Sequence, residues 1–487
     1  MASGHASAAG MGGQSELALS ELAQSELAQT DVLSARTAAE PAAISASPPS
    51  RRSPLKTVLR VSFAVCLFAI LARVACVSGW LRPIRIVGGS MAETLLGDHW
   101  RLHCPRCGFT HRCDSEQLPR DERVVCPNCG VEHDVDKAAT RVRGQRVLVD
   151  RWPAIWGDWR SRRGAVVAVR RDDAPSGFAV KRLIGFPGET IEIRDGDVWL
   201  GPGIRYRKSW QELTAVAIPV HDDHFRIGER ADREDMASRR AAGWRPLGSD
   251  SGWQATPTGY RWSSRDRRAN GTGWLVFQTS AGAGVIRDLD AYNQALSRHL
   301  EAVHDLMLRL EVDFADSAIL MVELWPARRP GVRFEFSKSG GGRIWTLDGE
   351  TPRLVKQWAF PTLPAADPHH RVGVAYCDQQ AMVALQDHEW ARIDLDGTSG
   401  STTVRAGGSR AAVAIGAMGG RVEISKLRLL RDIHYLPASN PHSPQTWRLD
   451  ADEWFVLGDN VAASTDSREW SAGSVRTRHF VGEVHSF

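Results

Sequence analysis

The chain has 487 residues, 43% of them hydrophobic and 24% charged, which is enough apolar matter for several cores and excludes an intrinsically disordered protein. Its 61 Lys and Arg stand against 57 Asp and Glu for a formal net charge of +4. That near-balance leaves no electrostatic footprint for nucleic acid, and no nucleic-acid partner is expected.

Residues 1–55 are rich in Ala, Ser and Gly and repeat SELAL, SELAQ, SELAQ from Ser15 to Gln29 before ASPPSRRSP breaks any helix. A five-residue period cannot hold one apolar stripe over many turns, so a disordered tail is expected. Residues 56–81 follow as a transmembrane anchor, in which Val58 to Trp80 span a hydrocarbon core of roughly 30 Å. Arg60 and Arg73 oppose insertion, but eleven Val, Leu, Ile and Phe outweigh them. Arg51, Arg52, Lys56 and Arg60 before the span outnumber Arg82 and Arg85 after it. The bias predicts a single-pass protein of the cell membrane, with its N-terminus cytoplasmic and everything after Trp80 on the far side.

Just past the span stands VGGSMAETLLGDHW, in which Ser90 follows Gly88 and Gly89. Such a turn is common, and alone it marks no nucleophile. Residues 99–146 carry HCPRCGFTHRC and VVCPNCG. Cys104-x2-Cys107, eighteen residues and Cys126-x2-Cys129 form paired knuckles that predict an inserted ribbon holding a structural zinc. Two disulfides are the competing reading, because the far side of a membrane permits oxidation. Cys113, His111 and His133 are spare ligands, expected to face solvent. Cys66, Cys76 and Cys377 read as small apolar residues of a membrane helix or a core.

GFAVKRLIGFPGETIEIRDGDVWL, residues 177–200, reads as strand, Pro-Gly turn, strand, with Lys181 inside an apolar run. Burial there would disfavour the ammonium, with Arg182 adding like-charge repulsion. Taking a lysine from about 10.4 to about 8 needs roughly 3.3 kcal/mol, which burial can supply. On its own the same lysine reads as one snorkelling from an edge strand. Residues 221–437 then bring alternating stretches such as GWLVFQT, SAILMVELW, VRFEFS and AMVALQD between Gly- and Asp-rich turns. They predict an inserted antiparallel sandwich. One helix is expected inside it, Asp288 to Glu311, from the spacing of Leu296, Leu300, Val303, Met307 and Leu310. The tryptophans of this region either fill its core or stack on sugars. The chain closes on WFVLGDNVAASTDSREW, an apolar strand running into a Gly-Asp-Asn turn.

The Ser90, Lys181 and Gly458 segments, in that order, resemble the type I signal peptidases. The family pattern is Ser-Met-x-Pro-Thr-Leu, then Lys-Arg-x-Ile-Gly-x-Pro-Gly-(Asp/Glu), then Gly-Asp-Asn-(x)3-Ser-x-Asp-Ser-Arg. The corresponding stretches here are Ser90 to Leu95, Lys181 to Glu189 and Gly458 to Arg468. The resemblance implies a mainly β fold, a catalytic domain formed by 82–220 and 446–487, and a membrane-bound serine endopeptidase that removes signal peptides without a catalytic cofactor. Ser90 would be the nucleophile and Lys181 its base. Ser464 would hold the lysine amine, and Asp466 with Arg468 would brace the loop. The family often places a hydroxyl in the oxyanion hole two residues before the nucleophile, where this chain has Gly88. The family proline of the first motif is Glu93, which loosens the loop and, pointing inward, would raise the lysine pKa; otherwise it faces water.

The strand pattern of 221–437 also looks like a concanavalin or laminin-G jelly roll, which implies a glycan or envelope protein as a further partner beside preprotein signal peptides and the lipid bilayer. A different class of reading is a noncatalytic envelope-binding protein on a degenerate peptidase scaffold. The self-cleaving repressors share a Ser-Lys dyad, but the membrane span and the lack of a DNA-binding module count against them. An insertion whose ends the protease core can close predicts that the core folds and works without residues 222–436.

Overall fold

The structure is a computed structural model that describes residues 54–77, 79–135, 139–153, 162–171, 177–227, 240–263, 271–281, 284–315, 317–327, 329–338, 341–348, 351–359, 370–395, 411–437 and 446–486. The tail expected at 1–55 lies outside the described residues, apart from its last two positions.

Those two positions begin a helix, Pro54–Val77. Proline suits a first helical turn because its missing N–H has no partner there in any case. Leu55–Ala75 is long and apolar enough to cross a membrane, at about 30 Å. Val58, Phe63 and Phe68 are among its exposed apolar side chains. The helix stops at Gly79, whose φ of +70° turns the chain and lets the Trp80 N–H reach the Ala75 carbonyl at 3.2 Å. This is the left-handed glycine stop of many helices.

From Leu81 on, the regular structure of the described residues is almost entirely antiparallel β. The sheet that carries the candidate site orders its strands Leu81–Arg85, Arg146–Asp150, Phe480–Ser486, Val166–Arg170, Phe178–Gly185, Glu453–Leu457, Val475–Arg476. The lysine strand Phe178–Gly185 is central, pairing Lys181 with Val167 on one side and Leu183 with Val456 on the other. Strand alternation sends Lys181 and Arg182 to opposite faces. The Pro-Gly turn is as read: Gly188 has φ +80° and the Glu189 N–H bonds the Phe186 carbonyl at 3.1 Å, a type II turn. It leads into a smaller sheet of Thr190–Arg194, Asp197–Leu200 and Thr446–Arg448.

Two larger sheets form the sandwich. One orders Trp253–Thr256, Gly259–Trp262, Val422–Arg431, Leu306–Phe314, His370–Cys377, Gln380–Leu385 and His388–Asp394, with Ile218–Asp222 also paired to Val422–Arg431. The other orders Gly243–Pro246, Gly273–Gln278, Val413–Met418, Ile319–Leu324, Gly331–Ser337, Gly341–Leu347 and Arg353–Ala359. Leu308, Leu310, Val322, Phe334 and Ile415 are among the buried residues between them. Trp244, Trp253 and Trp262 belong to this core and Trp325 is buried too, so these rings fill space; Trp390 is exposed.

The helix expected at Asp288–Glu311 does not form. A single 3-10 turn covers Ala291–Asn293, and Leu306–Phe314 is a strand. Leu306, Leu308, Leu310, Val312 and Phe314 point into the sandwich core while Met307 packs under Trp210 on the other face. A strand buried on both faces loses its alternation and imitates a helical stripe. A short helix that was not anticipated, Trp210–Val216, supplies that cover, with a capping box between Ser209 and Glu212.

Candidate active site

The Ser90 segment is a turn in which the Ala92 N–H bonds the Gly89 carbonyl at 3.0 Å and the Leu95 N–H bonds the Met91 carbonyl at 2.8 Å. Met91 and Leu95 anchor it in a core shared with Val149 and Ala168. Glycine is required at 89, because a Cβ there would stand 2.3 Å from Asp114 Oδ2 and 2.6 Å from the Tyr292 ring. At Gly88 a Cβ would meet nothing within 4 Å. Ser90 is half-buried. Its carbonyl accepts from the Asn460 N–H at 3.1 Å, while its own N–H has no acceptor among the described residues.

Ser90, Gly88 and Lys181 line one cavity of about 630 Å³, together with Phe178, Trp470 and the Asp114–Gln117 loop. Lys181 is 3% exposed and its Nζ donates to Ser464 Oγ at 3.0 Å. Burial pushes the amine down to about 8; Asp466 and Asp459 pull it up, and Arg468 and Arg171 push it further down. Arg182 is not the repelling neighbour expected from the sequence. Its guanidinium forks onto Asp459 at 2.7 and 2.5 Å on the opposite face.

The closing segment is built around Asp466, which accepts from the Gly458 N–H at 2.9 Å and from Arg468 Nε and a terminal nitrogen at 2.8 Å each. Arg468 also reaches the Val461 and Leu436 carbonyls at 3.0 Å, so the pair ties the ends of the loop that presents Ser464. Gly458 lies between Ser464 and the Ser90 turn: a Cβ there would be 2.1 Å from Ser464 Oγ and 2.5 Å from the Ser90 carbonyl. The structure thus brings Ser90, Lys181, Ser464, Gly88, Asp466 and Arg468 to one place. No hydrogen bond joins Ser90 to Lys181 in this structure; such bonds are commonly loose before substrate binds.

Glu93 takes neither course expected of it. It turns toward Arg112, 3.8 Å away, and is pushed up to about 7 by burial and then by Asp290. It is not among the main charges acting on Lys181.

The four knuckle cysteines converge with all Sγ atoms within 4.8 Å of one another. Cys104 to Cys129 is 3.8 Å and Cys107 to Cys126 is 3.7 Å. Four thiolates tetrahedral about one zinc at about 2.3 Å would stand about 3.8 Å apart, so the residues fit that ion. None of the four is in a disulfide. Gly108 and Gly130, at φ +75° and +70°, close the two knuckles with bonds of 3.0 and 2.8 Å to the Cys104 and Cys126 carbonyls. The expectation that His111, His133 and Cys113 face solvent is wrong: all three are buried, and the two imidazoles meet through Nε2 atoms 3.4 Å apart. Cys377 is buried as expected, but beside the carboxylates of Asp378 and Asp432 at 3.3 and 3.5 Å rather than among apolar groups alone. Cys66 lies on the first helix; the side chain of Cys76 falls outside the described residues.

Contacts from the sandwich segment to this site went unread in the sequence. Tyr292 is buried against Ala92 and Leu96, and Asn293 is bonded to Asn460. They oppose the expectation that the protease core works without residues 222–436.

The family described as signal peptidase, peptidase S26 matches residues 55–202 and 422–487, the two stretches that carry the Ser90, Lys181 and Gly458 segments. The match supports the signal peptidase family and a peptidase. No curated protein matches the chain significantly. Among solved structures, the carbohydrate-binding module CBM66 from Bacillus subtilis is 8% identical and covers 38% of this chain and 94% of its own, with a TM-score of 0.24. A Bacillus subtilis protein of unknown function with a galectin-like fold is 9% identical over 44% of this chain and 97% of its own, at 0.29. A Bacillus licheniformis β-glucanase is 7% identical over 41% and 95%, at 0.28.

Proposed function

We propose that the chain is a membrane-anchored type I signal peptidase that removes signal peptides from preproteins with a Ser90–Lys181 dyad. The observation that carries this reading is Lys181: an amine buried without a paired carboxylate among the described residues, down near 8, held by Ser464 in the cavity that Ser90 lines. At pH 8 about half of such lysines are neutral. A neutral amine accepts the Ser90 Oγ proton as that oxygen attacks the substrate carbonyl, then gives a proton to the departing amine. Water, activated by the same lysine, releases the acyl group. The Ser90 N–H, without an acceptor among the described residues, is the donor for the oxyanion, and Gly88 adds no side-chain donor. Asp466 and Arg468 act by fixing the loop that carries Ser464.

The helix Leu55–Ala75 would anchor the chain in a membrane, and the basic residues before it favour a cytoplasmic N-terminus. Cys104, Cys107, Cys126 and Cys129 would hold a zinc ion that closes the ribbon fold and takes no part in cleavage. Purified protein should then carry about one equivalent of zinc, measured by elemental analysis, and Cys104→Ser should lose it. The sandwich would present a glycan- or protein-binding surface beside the peptidase. The noncatalytic reading, a binding protein on a degenerate scaffold, is the alternative that the first experiment separates. Detergent-solubilised full chain should cleave a model signal peptide, and Ser90→Ala and Lys181→Ala should each lower the rate by at least about a thousandfold, with the double variant no worse than either single one. Equal turnover by wild type and Ser90→Ala would refute the peptidase.

A further inference from the structure

Asn460 stands at the end of the Gly458–Asn460 turn and holds the carbonyls on both sides of the Ser90 Cα. Its side-chain amide donates to the Gly89 carbonyl at 2.9 Å and its main-chain N–H to the Ser90 carbonyl at 3.1 Å. A trans peptide is planar, so fixing the Gly89 carbonyl also fixes the direction of the Ser90 N–H on the other side of the same plane. Asn460 therefore aims this N–H, which has no acceptor among the described residues and belongs to a residue that lines the cavity.

An amide side chain can do this only in one of its two flipped orientations, and what selects the orientation lies in the insertion. Asn293 donates from Nδ2 to Asn460 Oδ1 at 2.5 Å and accepts from Asn460 Nδ2 at 2.9 Å. The same Nδ2 donates to Asp290 Oδ2 at 2.9 Å, which settles which end of Asn293 carries the hydrogens. Asp290 also caps the turn by accepting from the Tyr292 N–H at 2.9 Å. Both asparagines are buried, at 6% and 1% exposure, so water cannot replace the pair at low cost.

The segment is fixed on its other sides as well. Tyr292 is fully buried, and its ring takes the space that a side chain at Gly89 would need. Gln294 pairs with the main-chain N–H and carbonyl of Val125, at 3.1 and 3.0 Å, and the Ala295 N–H bonds the Gln117 carbonyl at 2.9 Å. Four residues in sequence thus touch the nucleophile turn, the Gly458 turn and the cysteine-bearing insertion.

We infer that Asn293, contributed by the sandwich insertion, is a positioning residue of the catalytic site: through Asn460 it orients the Ser90 N–H toward the oxyanion, so the insertion is a working part of the peptidase. The inference rests on the Ser90–Lys181 reading. Removing an oxyanion donor outright costs about a hundredfold to a thousandfold in kcat, and a donor left in place but misaimed loses part of that.

Asn293→Ala in the solubilised full chain should therefore lower kcat on a signal peptide by roughly ten- to a hundredfold with KM within about twofold, as expected for an interaction made in the transition state alone. Amide hydrogen exchange should quicken in residues 88–92 and stay as in wild type in the strand Leu306–Phe314. Should the alanine variant not fold, Asn293→Asp keeps the volume, loses the donated bonds and sets a carboxylate against Asp290, and it should give the same two readings. An unchanged kcat in a folded variant overturns the inference. So does wild-type exchange at 88–92, whether or not peptide is cleaved. Loss of protection throughout the sandwich marks Asn293 as merely structural and overturns it too. Failure of wild type to cleave in a Ser90-dependent way would sink the peptidase reading instead, a result the exchange measurement does not share.

Discussion

Two lysines of this protein are buried to nearly the same degree and are driven in opposite directions. Lys181, in the sheet of the candidate site, is 3% exposed, touches one hydroxyl and is pushed down to about 8. Lys208, where residues of the sandwich meet the chain leading from the smaller sheet, is 6% exposed and bonds Asp378 at 3.2 Å and Asp432 at 2.7 Å; its amine is held well above the ordinary lysine value, the two carboxylates outweighing burial. Burial alone therefore does not make a base. What distinguishes Lys181 is that its nearest acids are spent elsewhere, Asp466 on Arg468 and Asp459 on Arg182. The first lysine is kept ready to lose a proton, and the second is a fixed cation that binds two segments together.

That contrast can be broken from either end. The largest effect is expected from Lys181→Arg, which keeps a cation but cannot deprotonate; peptide cleavage assays should show the same loss of at least about a thousandfold as Lys181→Ala. Lys208→Met leaves Asp378 and Asp432 buried without their cation, and urea unfolding should show a loss of about 3–5 kcal/mol.

One lysine pocket can also be converted toward the other. Ser464→Asp puts a carboxylate beside Lys181 and should raise its pKa by about 1–2 units. The pH–rate profile should then shift up by that amount, with cleavage at pH 7 lowered roughly ten- to a hundredfold beyond any loss shared with Ser464→Ala.

The smallest effect concerns Glu93, whose folded-state pKa is raised from the ordinary 4.5 to about 7. The folded chain then binds the proton more tightly than the unfolded one, so ionisation costs stability progressively as pH rises from about 4.5 through 7. Glu93→Gln removes that cost. Thermal unfolding should show a gain of a degree or two at pH 8, about 1 kcal/mol or less given the partly exposed side chain, and no gain at pH 4.

The two lysines also differ in how far the sequence shows them. Lys181 declares itself because its apolar surroundings are its own neighbours in the strand, and the Pro187-Gly188 turn and the cysteine knuckles are equally local. Lys208 does not, because Asp378 is 170 residues away. The same holds for Asn293, whose partner Asn460 is 167 residues distant, and no spacing rule predicts a single polar pair across such a gap. His111 and His133 misled for a related reason: polar residues beside a metal-type knuckle read as exposed until the fold buries them against each other. Leu306–Phe314 misled because it is covered on both faces, by the opposing sheet and by the helix Trp210–Val216. Local chemistry could be read directly, whereas long-range packing appeared only with the fold.

The measurement closest to the central claim is the pH dependence of kcat/KM for signal-peptide cleavage by the solubilised full chain, from pH 6 to 10, alongside Ser90→Ala. A Lys181 that must be neutral to act predicts a rate rising about tenfold per pH unit below 8 and levelling above it, with no cleavage in the Ser90→Ala protein. A profile flat between pH 6 and 9, or undiminished cleavage without Ser90, would contradict it.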